Sequence, residues 1–154
     1  MVEHGATTTW ERWNGDQMRD DPSMNSYNHY AYGAVADWIY RYAAGIDATH
    51  LDAGFHTVVL HPVFDARLGK IAFDYASSYG PIHSDWTATP NNFDWHVTIP
   101  ANTRGWLPLK PNEAAKYTLN GEAISSSKLA KAGTREGESG YELAPGSYNF
   151  EVKQ

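Results

Sequence analysis

The sequence has no cysteine, no long apolar run and few basic residues, and each absence excludes a class of protein. Without cysteine, the 154 residues can form no disulfide framework, no thiolate metal site and no cysteine nucleophile. No run of about 18 apolar residues is present to span a bilayer, and the opening residues lack the basic start and apolar core of a signal peptide. The 12 Lys and Arg against 18 Asp and Glu give a net charge of −6, which argues against nucleic acid as a partner.

The seven histidines lack the spacing of a metal site. No two of them are placed four residues apart on a predicted helix, and the aspartates do not follow a calcium-loop pattern. We therefore expect neither a metal nor a cofactor. Cellular location stays open, because a chain without cysteine is compatible with the cytoplasm, the periplasm and the outside.

Aromatic residues are abundant, with 6 Trp, 10 Tyr and 5 Phe. Tyr and Trp are common in strands, and flat rings also pack on the faces of sugars. Composition alone favours strands.

The pattern of apolar residues changes near residue 46. Before it, apolar residues recur at steps of three and four, which predicts a helix over residues 26–44. Ser23, Asn25 and Ser26 can cap its start, and Gly45 lies where a left-handed cap is often needed. Because this helix is apolar or aromatic over most of its surface, we expect the chain to be the C-terminal piece of a larger protein.

After residue 54 the apolar period becomes two, which predicts seven or eight short strands and an antiparallel β-sandwich. The clearest alternation is over residues 71–75, 93–99 and 148–152, and Asn120-Gly121 is a strong turn signal. Residues 125–140 are polar and contain glycine, so we expect a long mobile loop there. The fold class is thus mixed α and β in separate segments, with N-terminal helices followed by a sandwich.

The segment GATTTWERW, residues 5–13, has the composition of a sugar-binding site. It places Glu11 between Trp10 and Trp13 and beside Arg12. Such a carboxylate can orient a water or a hydroxyl in a sugar cleft, or it can form a surface pair with Arg12 while the tryptophans lie in a core. His29, at the start of the predicted helix, is either a satisfied capping histidine or a donor to a ligand.

Together these segments resemble the C-terminal part of bacterial α-L-rhamnosidases, glycoside hydrolase family 78. The resemblance is carried by GATTTWERW, by DPSMNSYNHYAYGAV over residues 21–35 and by DWIYR over residues 37–41, and it continues more loosely into the β-region. It implies the edge of an (α/α)6 barrel over residues 1–46 and a C-terminal β-sandwich domain over residues 54–154.

The resemblance also implies an activity and its residues. Family members hydrolyse terminal α-L-rhamnosyl groups of glycosides or polysaccharides with inversion, which needs a general acid and a general base. The family's proposed base maps onto Glu11, and its sugar-contacting histidine maps onto His29. Trp10 and Trp13 would form pocket wall or barrel core, and Arg12 would contact substrate or hold Glu11. The family's general acid lies upstream of these motifs, so we expect this chain alone to be inactive.

A non-catalytic module is the alternative. In that case the β-region supports a barrel or binds carbohydrate, and Glu11 is structural. Trp86, Trp95 and Trp106 could form a sugar-binding platform, although the register of Trp95 predicts a core position, whereas Trp106 follows Gly105 and could be exposed.

Overall fold

A computed structural model describes residues 1–15, 26–49, 52 and 54–154. It divides into two compact units, Met1–Trp38 and Ile39–Gln154. Among the described residues, no helix has the length and apolar character needed to cross a membrane.

The first unit contains short helical segments. A 3-10 helix spans Val2–His4, a second spans Tyr30–Gly33, and α1 spans Ala34–Trp38. The prediction of one helix from residue 26 is therefore wrong at its start. Residues 26–29 are not helical because they form backbone hydrogen bonds with residues 9–11, and Ser26 Oγ accepts from the backbone N–H of Asn28. Ser23 and Asn25, the other two candidate caps, lie outside the described residues.

The second unit opens with a π-helix over Ile39–Ala43, whose last turn closes with a hydrogen bond from Ala44 N to Ile39 O at 2.9 Å. Gly45 then adopts a φ of 69°, as predicted for the end of the helical region. A Cβ atom at this position would lie 2.1 Å from the backbone nitrogen of Pro62, so only glycine fits. The first strand begins at the next residue, Ile46.

Eleven strands follow in the described part of this unit. They are β1 Ile46–Ala48, β2 Thr57–Leu60, β3 Lys70–Ser77, β4 Gly80–Ala88, β5 Asn92–Ile99, β6 Arg104–Pro108, β7 Tyr117–Leu119, β8 Glu122–Ala123, β9 Ala130–Arg135, β10 Glu138–Leu143 and β11 Gly146–Lys153. A single helical turn, α2, spans Pro111–Ala114. One sheet has the order β1-β2-β6-β10-β9 and the other β3-β4-β5-β11-β7-β8.

The two sheets share one hydrophobic core, as expected for a sandwich. Alternation along β5 and β11 buries every second residue, including Trp95 and Phe150, which stack with ring centroids 4.7 Å apart. The other sheet contributes Val58, Leu60 and Leu143 to the same cluster. The sequence periods therefore predicted correctly the part of this core that lies on β5 and β11.

One prediction for the β-region is wrong. Residues 125–140 contain β9 and the start of β10, which pair through a tight turn at Glu136 and Gly137, both with positive φ. Because β9 is an edge strand with mostly exposed side chains, it lacks apolar alternation. The predicted antiparallel sandwich is confirmed with one exception, since β2 and β6 pair in parallel with Val58 opposite Gly105.

The Asn-Gly turn between β7 and β8 provides a test of local geometry. Asn120 and Gly121 have φ values of 48° and 86°, which is the type I′ pattern predicted from the sequence. We expect Gly121→Ala to lower the free energy of unfolding by about 1–2 kcal/mol, because a side chain is strained at this φ. Urea unfolding followed by tryptophan fluorescence measures the change.

Gly133→Ala in β9 is the matched control, because φ there is not positive and an added Cβ would only contact Trp106 at 4.0 Å. We expect it to leave stability unchanged or raise it by up to about 1 kcal/mol. Equal destabilisation by both substitutions would contradict the turn assignment.

Candidate functional site

The two motif segments of the first unit contact each other. The backbone N–H of Glu11 donates to Ser26 O at 2.8 Å, and the backbone N–H of His29 donates to Thr9 O at 2.8 Å. Thr8 Oγ1 adds a hydrogen bond to the carbonyl of Tyr27. Residues separated by about 18 positions in sequence are thus held side by side, and Glu11 and His29 lie on neighbouring parts of the paired segments.

The Glu11 carboxylate is held by its surroundings. Its Oε2 accepts from the backbone N–H of Ser26 at 2.9 Å, and the backbone carbonyl of Glu11 accepts from the hydroxyl of Tyr32 at 2.8 Å. The side chain is half-buried, so it combines a defined orientation with access to solvent. A carboxylate in such a position can take a proton from a water that approaches from its open side.

His29 lies between two tyrosine rings. Its imidazole stacks on Tyr30 with centroids 6.0 Å apart and lies 5.6 Å from the ring of Tyr32. Tyr32 therefore touches both candidate residues, through its hydroxyl on Glu11 and its ring on His29. Tyr32 has no role among the sequence-based expectations, and the signal that could have indicated one is its spacing of three residues from His29.

The remaining candidates separate into buried and exposed groups. Trp10 is 9% exposed and packs edge-on against Tyr27 at 5.5 Å, above Gly15, where a Cβ atom would lie 2.7 Å from the Trp10 ring. Trp13 is 80% exposed, and Arg12 is half-buried. Of the two tryptophans, Trp10 is thus a packing residue of this unit, and Trp13 is the one available at its surface.

The three tryptophans of the second unit that could form a sugar-binding platform are all buried. Trp86, Trp95 and Trp106 are 0%, 1% and 6% exposed, so the expectation that Trp106 could be exposed is wrong. Trp106 belongs to β6, a central strand of its sheet, and its ring packs against Gly140 and Gly133, which leave space for it. The core position predicted for Trp95 is confirmed.

No metal group accompanies the Glu11 segment: among the described residues of the first unit, no three His, Asp or Glu side chains lie close enough to share an ion.

Comparison with known proteins gives consistent matches along the chain. Residues 45–123 match the family model of the bacterial alpha-L-rhamnosidase C-terminal domain, and residues 1–43 match that of the bacterial alpha-L-rhamnosidase 6 hairpin glycosidase domain. Alpha-L-rhamnosidases of Formosa agariphila and Streptomyces avermitilis are each 31% identical over 99% and 98% of this chain. One of Alteromonas sp. is 34% identical over 86%.

The solved structures that resemble this chain are also alpha-L-rhamnosidases. The alpha-L-rhamnosidase of Streptomyces avermitilis, complexed with L-rhamnose, superposes with a TM-score of 0.69 at 29% identity over 99% of this chain. That of Dictyoglomus thermophilum gives 0.68 at 27% identity over the whole chain. The chain spans only 14% to 17% of the length of these proteins and of the curated relatives.

Proposed function

Because the chain belongs to the bacterial α-L-rhamnosidase family, we propose that it supplies two parts of such an enzyme. Residues 1–46 would be the last helices of an (α/α)6 catalytic barrel, and residues 54–154 the C-terminal β-sandwich domain. The upstream part of the same polypeptide would complete the barrel.

The proposed reaction is hydrolysis of terminal α-L-rhamnosyl groups from glycosides or polysaccharides with inversion. Inversion places a general acid and a general base about 6.5–9.5 Å apart, with room for a water between base and sugar. Glu11 would be the base that takes the proton from this water. The general acid would come from the upstream part, because the family's acid lies outside the motifs present here.

The observation that carries this proposal is the pairing of the two motif segments. It holds the Glu11 carboxylate on the N–H of Ser26, and Tyr32 contacts both the backbone carbonyl of Glu11 and the ring of His29. In the proposed site, His29 and Arg12 would donate to sugar hydroxyls, Trp13 would cover a sugar face, and Trp10 would form the wall behind them.

Exposed apolar side chains support the need for an upstream part. Val35, Trp38 and Tyr42 are 60%, 54% and 49% exposed, although their sequence pattern is that of a helix covered on several sides. Apolar surface of this kind is typical of a contact with another protein element. In the proposed enzyme, further barrel helices would cover it.

The chain as it stands is expected to release no rhamnose from an aryl α-L-rhamnoside, whereas the longer polypeptide with its upstream part releases it. Proton NMR of the longer form during the first turnovers is expected to show the β-anomer first, as inversion demands. If the isolated chain is active and Glu11→Gln abolishes that activity, the proposal that the general acid lies in the upstream part is wrong. Early α-anomer would contradict inversion.

A β-sandwich that only supports the barrel is the alternative, with Glu11 as a structural residue. Burial of its three tryptophans favours this supporting role over a sugar-binding one for the sandwich itself. The two functions differ in whether Glu11 affects chemistry.

A further inference from the structure

Strand register places four ionisable side chains on the outer face of the larger sheet. Asp74 on β3 lies opposite His83 on β4, and Asp85 on β4 lies opposite His96 on β5. These residues point away from the core because their neighbours along the strands are buried; these neighbours are Ile82, Ser84, Trp86, Trp95 and Val97. Two histidines and two aspartates from three adjacent strands therefore meet on one face.

The distances within this cluster are short. His83 Nδ1 lies 2.6 Å from Asp74 Oδ1, and His83 Nε2 lies 2.6 Å from Asp85 Oδ1. His96 Nδ1 lies 3.3 Å from the same Asp85 oxygen. One donor atom from each of His83, Asp85 and His96 lies within 4.8 Å of the others, and all three side chains are between 30% and 39% exposed.

We propose that His83, Asp85 and His96 bind a zinc ion, or another late first-row divalent ion, as a two-histidine, one-carboxylate site. Imidazole nitrogens with a carboxylate oxygen suit Zn²⁺, Ni²⁺ and Cu²⁺, whereas Ca²⁺ and Mg²⁺ require oxygen ligands. Tetrahedral Zn²⁺ with bonds of about 2.0–2.2 Å separates its ligand atoms by about 3.3–3.5 Å. The His83–Asp85 contact would open slightly to admit the ion, and water would fill the fourth position.

Asp74 has the place of an outer-shell partner. It lies on the nitrogen of His83 that faces away from Asp85, so it can accept a hydrogen bond from Nδ1–H and leave Nε2 free for the ion. A carboxylate that orients a metal-bound histidine in this way is the usual arrangement in zinc sites. The bound ion would link β4 to β5 and, through Asp74, to β3.

A simpler state competes with the metal. Hydrogen bonding to Asp74, with help from Asp85, raises the pKa of the His83 imidazole above its ordinary value. A protonated His83 could therefore bridge the two aspartates without an ion. The two states differ in the protons on His83: both nitrogens carry one in the bridge, and only Nδ1 carries one in the metal site.

Titration of the metal-free chain with Zn²⁺ at neutral pH, followed by calorimetry and thermal unfolding, tests the site. We expect saturable binding of one ion per chain and a rise in the unfolding midpoint. Ca²⁺ and Mg²⁺ should not compete. His83→Gln and His96→Gln should remove the binding, and Asp74→Asn should weaken it by about 10–100-fold. His61→Gln, outside the cluster, is the control and should bind as the unmodified chain does.

Co²⁺ substitution gives a readout that needs no variant, because four-coordinate nitrogen and oxygen ligation produces intense visible absorption bands. Nitrogen-15 NMR of the imidazoles should show that Zn²⁺ removes the Nε2 proton of His83. The proposal is overturned by an absence of saturable binding, by unchanged affinity in both histidine variants, or by a His83 that keeps both protons at saturating Zn²⁺.

Discussion

Replacing Glu11 with glutamine in the longer polypeptide is expected to lower kcat for rhamnoside hydrolysis by about 10²–10⁴-fold, the usual contribution of general base catalysis. Only the ionised carboxylate can take the proton of the attacking water. The amide oxygen of glutamine can still accept from the N–H of Ser26, 2.9 Å from Oε2 in the native chain. The variant should therefore fold normally, and its KM should change little.

Glu3→Gln is the matched control, because Glu3 is an exposed glutamate in the first 3-10 helix of the same unit. It should leave kcat unchanged. A Glu11→Ala variant should regain turnover with azide, a nucleophile that needs no base, and should form the inverted rhamnosyl azide. An unaltered kcat in Glu11→Gln, with the fold intact by circular dichroism, would assign Glu11 a structural role.

The sheets show what local pattern can predict. Strands β4, β5 and β11 are buried on one face and exposed on the other, so period two appears directly in their sequences. The central strand β6 was not predicted, because it is buried on both faces and its sequence does not alternate. Trp106 and Leu107 are successive buried residues, and the side chains of Ile99 and Leu60 pack against Gly105. Strand β9 was not predicted for the opposite reason, because its side chains are mostly exposed and show no apolar alternation.

The candidate site depended on contacts between distant residues. Residue types alone left two roles open for Glu11 and two for His29, one functional and one structural, and the hydrogen bonds of residues 9–11 with residues 26–29 show that their segments lie side by side. The same holds for His83 and His96. Their separation of 13 residues has no metal-site spacing along the chain, and only the register of β4 with β5 makes them neighbours. Pairing register depends on the whole sheet, so local spacing could not reveal the cluster of His83 and His96.

Among the substitutions that test stability, removal of the Ser84 hydroxyl should cause the largest loss, because it removes two buried hydrogen bonds. Its hydroxyl donates to Ala44 O at 2.6 Å and accepts from Trp95 Nε1–H at 3.0 Å, and both side chains are almost fully buried. Ser84→Ala leaves the Ala44 carbonyl and the Trp95 indole without this partner. Each buried, unsatisfied polar group costs about 1–3 kcal/mol, so we expect the free energy of unfolding to fall by at least about 2 kcal/mol. Urea unfolding measures it.

A double-mutant cycle separates the hydrogen bond between Ser84 and Trp95 from the effect of lost side-chain volume. Trp95→Phe removes the indole donor, so adding Ser84→Ala to it leaves only the Ala44 carbonyl unpaired. The double variant should therefore be more stable than the sum of the single effects predicts, by about 1 kcal/mol or more. Ser147→Ala, on the exposed face of β11, removes a hydroxyl contact of 3.0 Å with Thr98 and should change stability by less than about 0.5 kcal/mol. Strict additivity would show that the Ser84–Trp95 hydrogen bond contributes nothing to stability. Coupling would show that it does, and the loss that Ser84→Ala still causes in the Trp95→Phe background would report the hydrogen bond to Ala44, the residue that follows the π-helix.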